Sequence, residues 1–306
     1  MLPFLARRFA ALLGVLFCVV TITFFLMKAV PGSAFDREKE PPPHIKEQML
    51  KKYGLDGSPL SQYARYLGDL VRGDLRVSWK YRNRSVNELL ADGLPYSFKL
   101  GALSFVLAAG AGVAIGALAA ARKNSAVDFG AMFSALFFIS VPTFVTGPLL
   151  ILIFGIWLGW LPVGGWLEWK SVILPAVCLA APYAAYVARL MRNSMLDVLS
   201  QEFIRTAHAK GLSEIAVVYK HALKVAILPV VSFLGPLAAH LLTGSVVVEM
   251  IFSIPGAGRF FVASIENRDV FLLGGVVIVY CTILVAFNLV VDIAYAVLDK
   301  RIRLHG

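Results

Sequence analysis

Charge is scarce in this chain. Only 16% of its 306 residues are Asp, Glu, Lys or Arg, and 19 acidic residues stand against 29 basic ones. Soluble domains are about 45–50% apolar, whereas this chain is 58% hydrophobic with a mean hydropathy of +0.75; a soluble globular domain is excluded. The signatures of several chemistries are missing too. There is no G-x-x-x-x-G-K-[ST] phosphate loop, so the chain does not itself bind and hydrolyse ATP in the usual way. There is no H-E-x-x-H and no G-x-S-x-G nucleophile elbow. The histidines His44, His208, His221, His240 and His305 are dispersed, with no pair at metal-site spacing. Cys18, Cys178 and Cys281 fall in apolar runs, read as small buried hydrophobes and imply no disulfide. Carboxylates at membrane depth, which ion-coupled carriers need, are sparse: Asp128 falls at the start of the third uncharged run and Asp292 near the inner end of the last. No catalytic, cofactor-binding or metal-ligating residue is expected in the chain.

What is abundant is long uncharged sequence: Phe9–Met27, Leu100–Ala121, Phe129–Leu167, Ser171–Ala188, Val225–Val248 and Val270–Val291. A helix needs about 20 apolar residues to cross the hydrocarbon. Five of the runs make one span each. The third is longer and punctuated by Pro142, Pro148 and Pro162; it reads as one span over 131–158 followed by a re-entrant or interfacial segment, Leu161–Trp166. That gives six spans, or seven if the third run splits.

Basic residues in short loops set the orientation. With the N-terminus inside, the cytoplasmic side carries Arg7, Arg8, Arg122, Lys123, Arg189, Arg192, Arg205, Lys210, Lys220, Lys224, Lys300, Arg301 and Arg303. The opposite short loops carry only Lys170, Arg259 and Arg268. Both termini are therefore expected in the cytoplasm. The same asymmetry, with anionic lipid headgroups, accounts for the net charge of +10 without nucleic acid. Arg7-Arg8 before an apolar stretch also looks like a secretory signal, but Phe9–Met27 is longer than the usual signal core and no clean A-x-A site follows; the expectation is an uncleaved span.

Residues 31–97 form an external lobe. Pro41-Pro42-Pro43 is an extended break, His44–Tyr53 a short amphipathic helix pattern, and Ser58-Pro59 a cap and first-turn pair opening a helix with Tyr63, Tyr66, Leu67 and Leu70 on one face. Ser85–Leu90 is another capped helical pattern. In the second span Ala108, Gly112, Gly116 and Ala120 recur every four residues, a spacing that lets helices approach closely in lipid. In the fifth span Pro229, Pro236 and His240 suggest a broken, cavity-lining helix, with His240 a hydrogen-bonded interior residue. Beyond it, Glu249 falls at the outer boundary, where a carboxylate is tolerated. Ile251-Phe252 ahead of the Pro255-Gly256 turn suggests a segment dipping back into the protein, although an ordinary interfacial loop fits as well.

Between the fourth and fifth runs lies a polar, basic loop, Glu202-Phe-Ile-Arg-Thr-Ala-His-Ala-Lys-Gly-Leu212, continuing to His221-Ala-Leu-Lys-Val-Ala-Ile-Leu-Pro229. Glu202–Lys210 is expected to form a short helix across the membrane face. Ala207 and Ala209 are small enough for a partner to approach, and Gly211 can supply a left-handed helix end. By itself the segment also reads as a solvated amphipathic helix.

Taken in order, Leu5–Arg8, Ala29–Ser33, Ser140–Phe144, Leu190–Leu199, Phe203–Leu212, His221–Pro229, Gly244–Phe252, Pro255–Gly258 and Asn267–Asp269 resemble the permease subunits of bacterial ATP-binding-cassette importers of the oligopeptide/dipeptide class. The likeness is greatest to the B-type subunits of oligopeptide permeases and covers essentially the whole length. Aligned on Gly211, the general importer motif E-A-A-x-x-x-G has Arg205 in place of its glutamate and Thr206 in place of its first alanine. Ala207 and Gly211 match, and Leu228-Pro229 lies farther from the glycine. The peptide branch shows the same departures.

The resemblance implies an all-α membrane protein of the type I importer permease fold with six transmembrane helices. Residues 1–30 would be the first span, 31–97 the external lobe, 98–295 the permease core with its cytoplasmic coupling loop at 190–228, and 296–306 a cytoplasmic tail. It implies ATPase coupling through Glu202, Phe203, Arg205, Thr206, Ala207, Ala209, Lys210, Gly211 and Leu212, and an external gate or binding-protein contact at Glu249, Ile251, Phe252, Pro255 and Gly256. The chain would be a non-catalytic subunit in a bacterial inner membrane. Its partners would be a second homologous permease, two cytoplasmic ATPases carrying ATP and Mg, an external binding protein and a peptide. The same machine with another cargo (dipeptide, nickel, murein or antimicrobial peptide) remains open, and a stand-alone ion-coupled carrier or channel is the alternative of a different class.

Overall fold

The computed structural model describes residues 2–29, 44, 47–48, 51, 53–81 and 83–298. The proline run 41–43, most of the helix expected over 44–53, the tail from 299 with Lys300, Arg301, Arg303 and His305, and the side chains of Arg8 and Asp292 lie outside the described residues. Within them the regular structure is helical, apart from one isolated bridge between Val77 and Ser85.

Among the described residues four helices are long and apolar enough to cross a membrane: Phe9–Ala29 within α1 (Leu2–Ala29), α3 (Val86–Ala121), Trp169–Leu199, whose α-helical part is α6 (Ile173–Leu199), and Val270–Val291 within α12 (Val270–Leu298). Two further apolar stretches are bent pairs. One is α4 (Ala126–Ser140) with α5 (Thr143–Trp157), turning by 110°; the other is α8 (Glu214–Ala226) with α9 (Leu228–Leu242), turning by 53°. The count is six if each pair is one span. The single helix expected over 131–158 is thus interrupted, and the cause is local. Pro142 disfavours helical backbone at the residue before it, and Val141 is extended at ψ 120°. The second bend falls at Ile227, two residues before Pro229, which lacks an N–H and crowds the preceding turn.

The chain divides into two compact units. The first holds the described residues up to Pro95 together with Gly256–Ala286. Here α2 (Pro59–Val71) begins as expected, with Ser58 Oγ accepting from the Ser61 amide at 3.3 Å and proline in the first turn. Tyr66 is buried, stacked on Phe24 of α1 at 5.5 Å. Ser85 and Glu88 form a capping box, each side chain accepting from the other's amide, at 3.1 and 3.2 Å. The helix this opens does not stop after a turn or two but is α3 itself, 36 residues long and so about 54 Å. α11 (Gly258–Glu266) leads to Asp269, the cap of α12. Its buried carboxylate accepts from Ser78 Oγ at 2.5 Å, from the Lys80 amide at 3.2 Å and from the Leu272 amide at 3.1 Å. Burial pushes the Asp269 carboxyl up, against the pull of these hydrogen bonds.

The second unit holds Tyr96–Pro255 and the described residues from Phe287. Its core includes the seam between α3 and α6, where the small-residue stripe lies. A methyl group on Gly112 would come within 2.6 Å of Val187 Cβ, and one on Gly116 would strike the Ala188 carbonyl and stand 2.7 Å from Met191 Cβ. Cys178 is buried as expected, while Cys18 of the first unit faces outward. His240 is exposed, its ring against Tyr183 at 5.6 Å, rather than interior.

Overpacking this seam should be costly. Gly116→Ala is expected to lose about 1–3 kcal/mol, read as a lower thermal midpoint in detergent. Gly110→Ala on the same helix meets nothing within 4 Å and should leave the midpoint unchanged or raise it, because a mid-helix glycine is entropically unfavourable.

Candidate functional site

The polar loop between α6 and α9 is folded. α6 ends at Leu199 and Gln201 is extended. α7 (Glu202–Ala209) follows, with Glu202 in its first turn, where a carboxylate faces the positive end of the helix dipole. Two of its residues, Ile204 and Ala207, are buried, in one cluster with Val217, Val218 and Ala222 of α8. The spacing of three puts them on one side of the helix. The rest of α7 is exposed. Arg205 pairs with Glu202 at 2.8 Å on the open surface, an interaction worth little there; the Thr206 hydroxyl returns to the Glu202 carbonyl at 3.1 Å.

Gly211 closes the helix. It sits at φ +79°, its amide donating to His208 O at 2.9 Å and the Leu212 amide to Ala207 O at 3.4 Å. This is the paired pattern of a Schellman end, in which a left-handed residue lets the last carbonyls find donors. Ser213 then caps α8, accepting from the Ala216 amide at 3.4 Å. Val217–Ala222 is a π-helical stretch, and the bend at Ile227 returns the chain to α9.

Of the sequence-predicted coupling residues, Ala207 is the one on the buried side. Glu202, Phe203, Arg205, Thr206, Ala209, Lys210, Gly211 and Leu212 are all exposed. Phe203 and Leu212, 40% and 39% exposed, share the surface with Ile215 at 72% and Tyr219 at 53%. Sequence reasoning passed over these last two. Their signal was present: a four-residue spacing puts them on one face of α8, and Ser213 marks that helix's start. The loop thus exposes apolar side chains alongside the exposed Arg205, Lys210 and Lys220 in the sequence, the combination an interaction site requires.

The second group of candidate residues is mostly interior. α10 (Val246–Ile251) is capped by Ser245, which accepts from the Val248 amide at 3.3 Å. Glu249 and Phe252 are 1% and 0% exposed, and Ile251 is half-buried. The carboxylate expected at an outer boundary is therefore enclosed, and a methyl group on Gly244 would come within 2.7 Å of its Oε1. Phe252 turns the chain inward: its carbonyl accepts from the Gly165 amide at 2.7 Å, and Ile254 is buried in the same core. Pro255 is half-buried, and Gly256, in the other unit, is buried. Among the described residues no cluster of three or more His, Cys, Asp or Glu is disposed to hold a metal.

Helices and loop together define an all-α, multi-pass membrane protein. The chain belongs to the binding-protein-dependent transport system inner membrane component family: the family profile matches residues 112–304, and the profile of that family's N-terminal region matches 1–100. It is 44% identical to the oligopeptide transport system permease protein OppB of Haemophilus influenzae over 305 residues, covering 99% of this chain and 100% of the relative. The OppB of Salmonella typhimurium is 43% identical over 99% of this chain and 100% of its own length. The dipeptide transport system permease protein DppB of Bacillus subtilis is 41% identical over 100% of this chain and 99% of its own length. The chain is thus a permease of the ABC-transporter class and a multi-pass inner membrane protein.

Gly211 has open space around it, with nothing within 4 Å of an added methyl group, so substitution there strains only the backbone. Gly211→Ala is expected to cost about 1–2 kcal/mol locally, read as faster amide hydrogen exchange across 207–217 with exchange elsewhere unchanged. Gly211→Asn should fall between, since Asn tolerates the left-handed region.

Proposed function

We propose that this chain is the permease subunit of an ATP-driven peptide importer and docks on its ATPases through α7 and the adjoining face of α8. The observation that carries the docking is the exposure of four apolar side chains, Phe203, Leu212, Ile215 and Tyr219, on a loop that is itself folded and capped. Ordering such a loop costs conformational entropy, and an unpartnered apolar surface on it gains nothing from water. A partner groove accounts for both. Peptide as cargo rests on the relatives at 41–44% identity, named for oligopeptide and dipeptide transport.

In this reading both termini and the 190–228 loop are cytoplasmic, 31–97 is the external lobe, 98–295 the permease core and 296–306 the tail. A second, homologous permease completes the pathway, a pair of ATPases carries ATP and Mg, and an external binding protein delivers peptide. Glu249, Ile251, Phe252, Pro255 and Gly256 serve as a gate that rearranges, since Glu249, Phe252 and Gly256 offer no surface for a binding protein to touch as they stand. An ion-coupled carrier is less supported, because Asp128, the carboxylate at the start of α4, is engaged by Arg192.

Gentle detergent extraction of the tagged chain from its native membrane, with mass spectrometry of what accompanies it, tests the reading. A second permease and ATPases are expected, and Gly211→Asp should diminish ATPase capture more than permease capture. A chain that comes alone, or an ATPase yield indifferent to Gly211→Asp, would overturn the docking assignment.

A further inference from the structure

Asp128 is 2% exposed, on the first turn of α4. Its two oxygens receive a bidentate fork from Arg192 of α6, Nε to Oδ1 at 2.5 Å and Nη2 to Oδ2 at 2.7 Å. Oδ2 also accepts the Asn124 amide at 3.0 Å, and the Asp128 amide donates to Ser125 Oγ at 3.4 Å. The carboxylate is therefore fixed within its own turn, at the helix end where negative charge is favoured. Two residues on, Ser194 Oγ donates to Ala226 O at 2.7 Å, the carbonyl at the edge of the 53° bend between α8 and α9.

These polar ties come from the last two turns of α6, joined to α7 through Ser200 and the extended Gln201. One reaches the start of the 110° bent pair and the other the bend that closes the loop. Stability alone does not explain the choice of chemistry, since a buried ion pair contributes no more than well-packed apolar residues of similar volume. A bidentate fork differs from apolar packing in fixing direction as well as distance.

We infer that Arg192, with Asp128, is a positioning residue for transport: it transmits displacement of α7 to α4, so that movement at the ATPase contact reorients the bent α4–α5 pair. Ser194 makes the companion tie to α9. Helices coupled this way move as a rigid body. The inference rests on the docking assignment above.

The test uses the whole complex in native membrane vesicles. It compares wild type, Arg192→Lys, and the double variant Asp128→Asn/Arg192→Gln, which leaves no lone buried charge. For each, ATPase capture, ATP hydrolysis and ATP-driven accumulation of radiolabelled dialanine and trialanine are measured, normalised to the amount of chain. The expected result is unchanged capture and hydrolysis with accumulation per ATP reduced roughly fivefold or more in both variants, the lower end of ordinary coupling energies. Arg192→Lys is the sharper case, since it keeps the charge and loses the fork. Accumulation per ATP equal to wild type in both variants would overturn the inference and leave the pair a packing element. Loss of ATPase capture in either would overturn it too, by making the pair part of the docking site. Failure of the docking assignment shows separately, as wild-type chain that captures no ATPase.

Discussion

Within a bilayer's hydrocarbon a carbonyl or amide released by a bend must find a partner in the protein or in a water-filled cavity it lines. That requirement governs where this chain departs from straight helices. At Pro142 the break is kept short: the amides of Val145 and Thr146 both return to the Pro142 carbonyl, at 2.9 and 3.1 Å. The Thr143 carbonyl is covered by Thr146 Oγ1 at 3.2 Å and by the thiol of Cys178, a weak donor, at 3.7 Å. At the second bend the Ala226 carbonyl is taken by Ser194. Each break is thus joined to α6, and α6 with α3 forms the dense seam made possible by Gly112 and Gly116. Bends and seam depend on one another, because a donor from α6 reaches a bend only if α6 is held rigidly.

Much of this architecture was legible in sequence, for reasons that can be named. Lipid leaves only helices for apolar runs of span length, so class and approximate span positions followed from where charge is absent. Local chemistry with a single geometric outcome was also legible. Ser58-Pro59 gave a helix start, Pro229 gave a break, and Gly211 gave a left-handed end, whereas the break at Pro142 falls inside the stretch read as one span. Fusion of the Ser85 helix with the second span was not, since nothing in that stretch opposes helix continuation except Pro95, and a helix accommodates one proline. The angle at a break was not legible either. Proline explains why Val141 is extended, but 110° is set by what α5 packs against afterwards.

The polar interior was the least legible part. Asp128 was noticed as a carboxylate near a span and Arg192 as a cytoplasmic charge, and no local rule joins residues 64 apart. Glu249 was assigned to a boundary because the uncharged run Val225–Val248 ends there; in the structure its side chain is enclosed by protein. In both cases charge was read as a marker of the membrane surface, a reading that does not reveal enclosure by protein. That holds on average, but fails where a side chain is enclosed by protein rather than lipid.

That failure bears on how such a permease can work. The exposed loop carries its polar groups in water, where Arg205 and Glu202 add little, and its apolar groups outward, where they have value only against a partner. Beneath it, in the last turns of α6, the arrangement inverts: polar groups are interior and paired. Apolar contacts in a membrane protein slide easily, because lipid and side chain are chemically alike and exchanging one for the other costs little. A fork of two hydrogen bonds onto a carboxylate fixed in its own turn does not slide. Placing non-slipping contacts between the exposed loop and the two bent pairs favours motion of the bends over slippage at the seam.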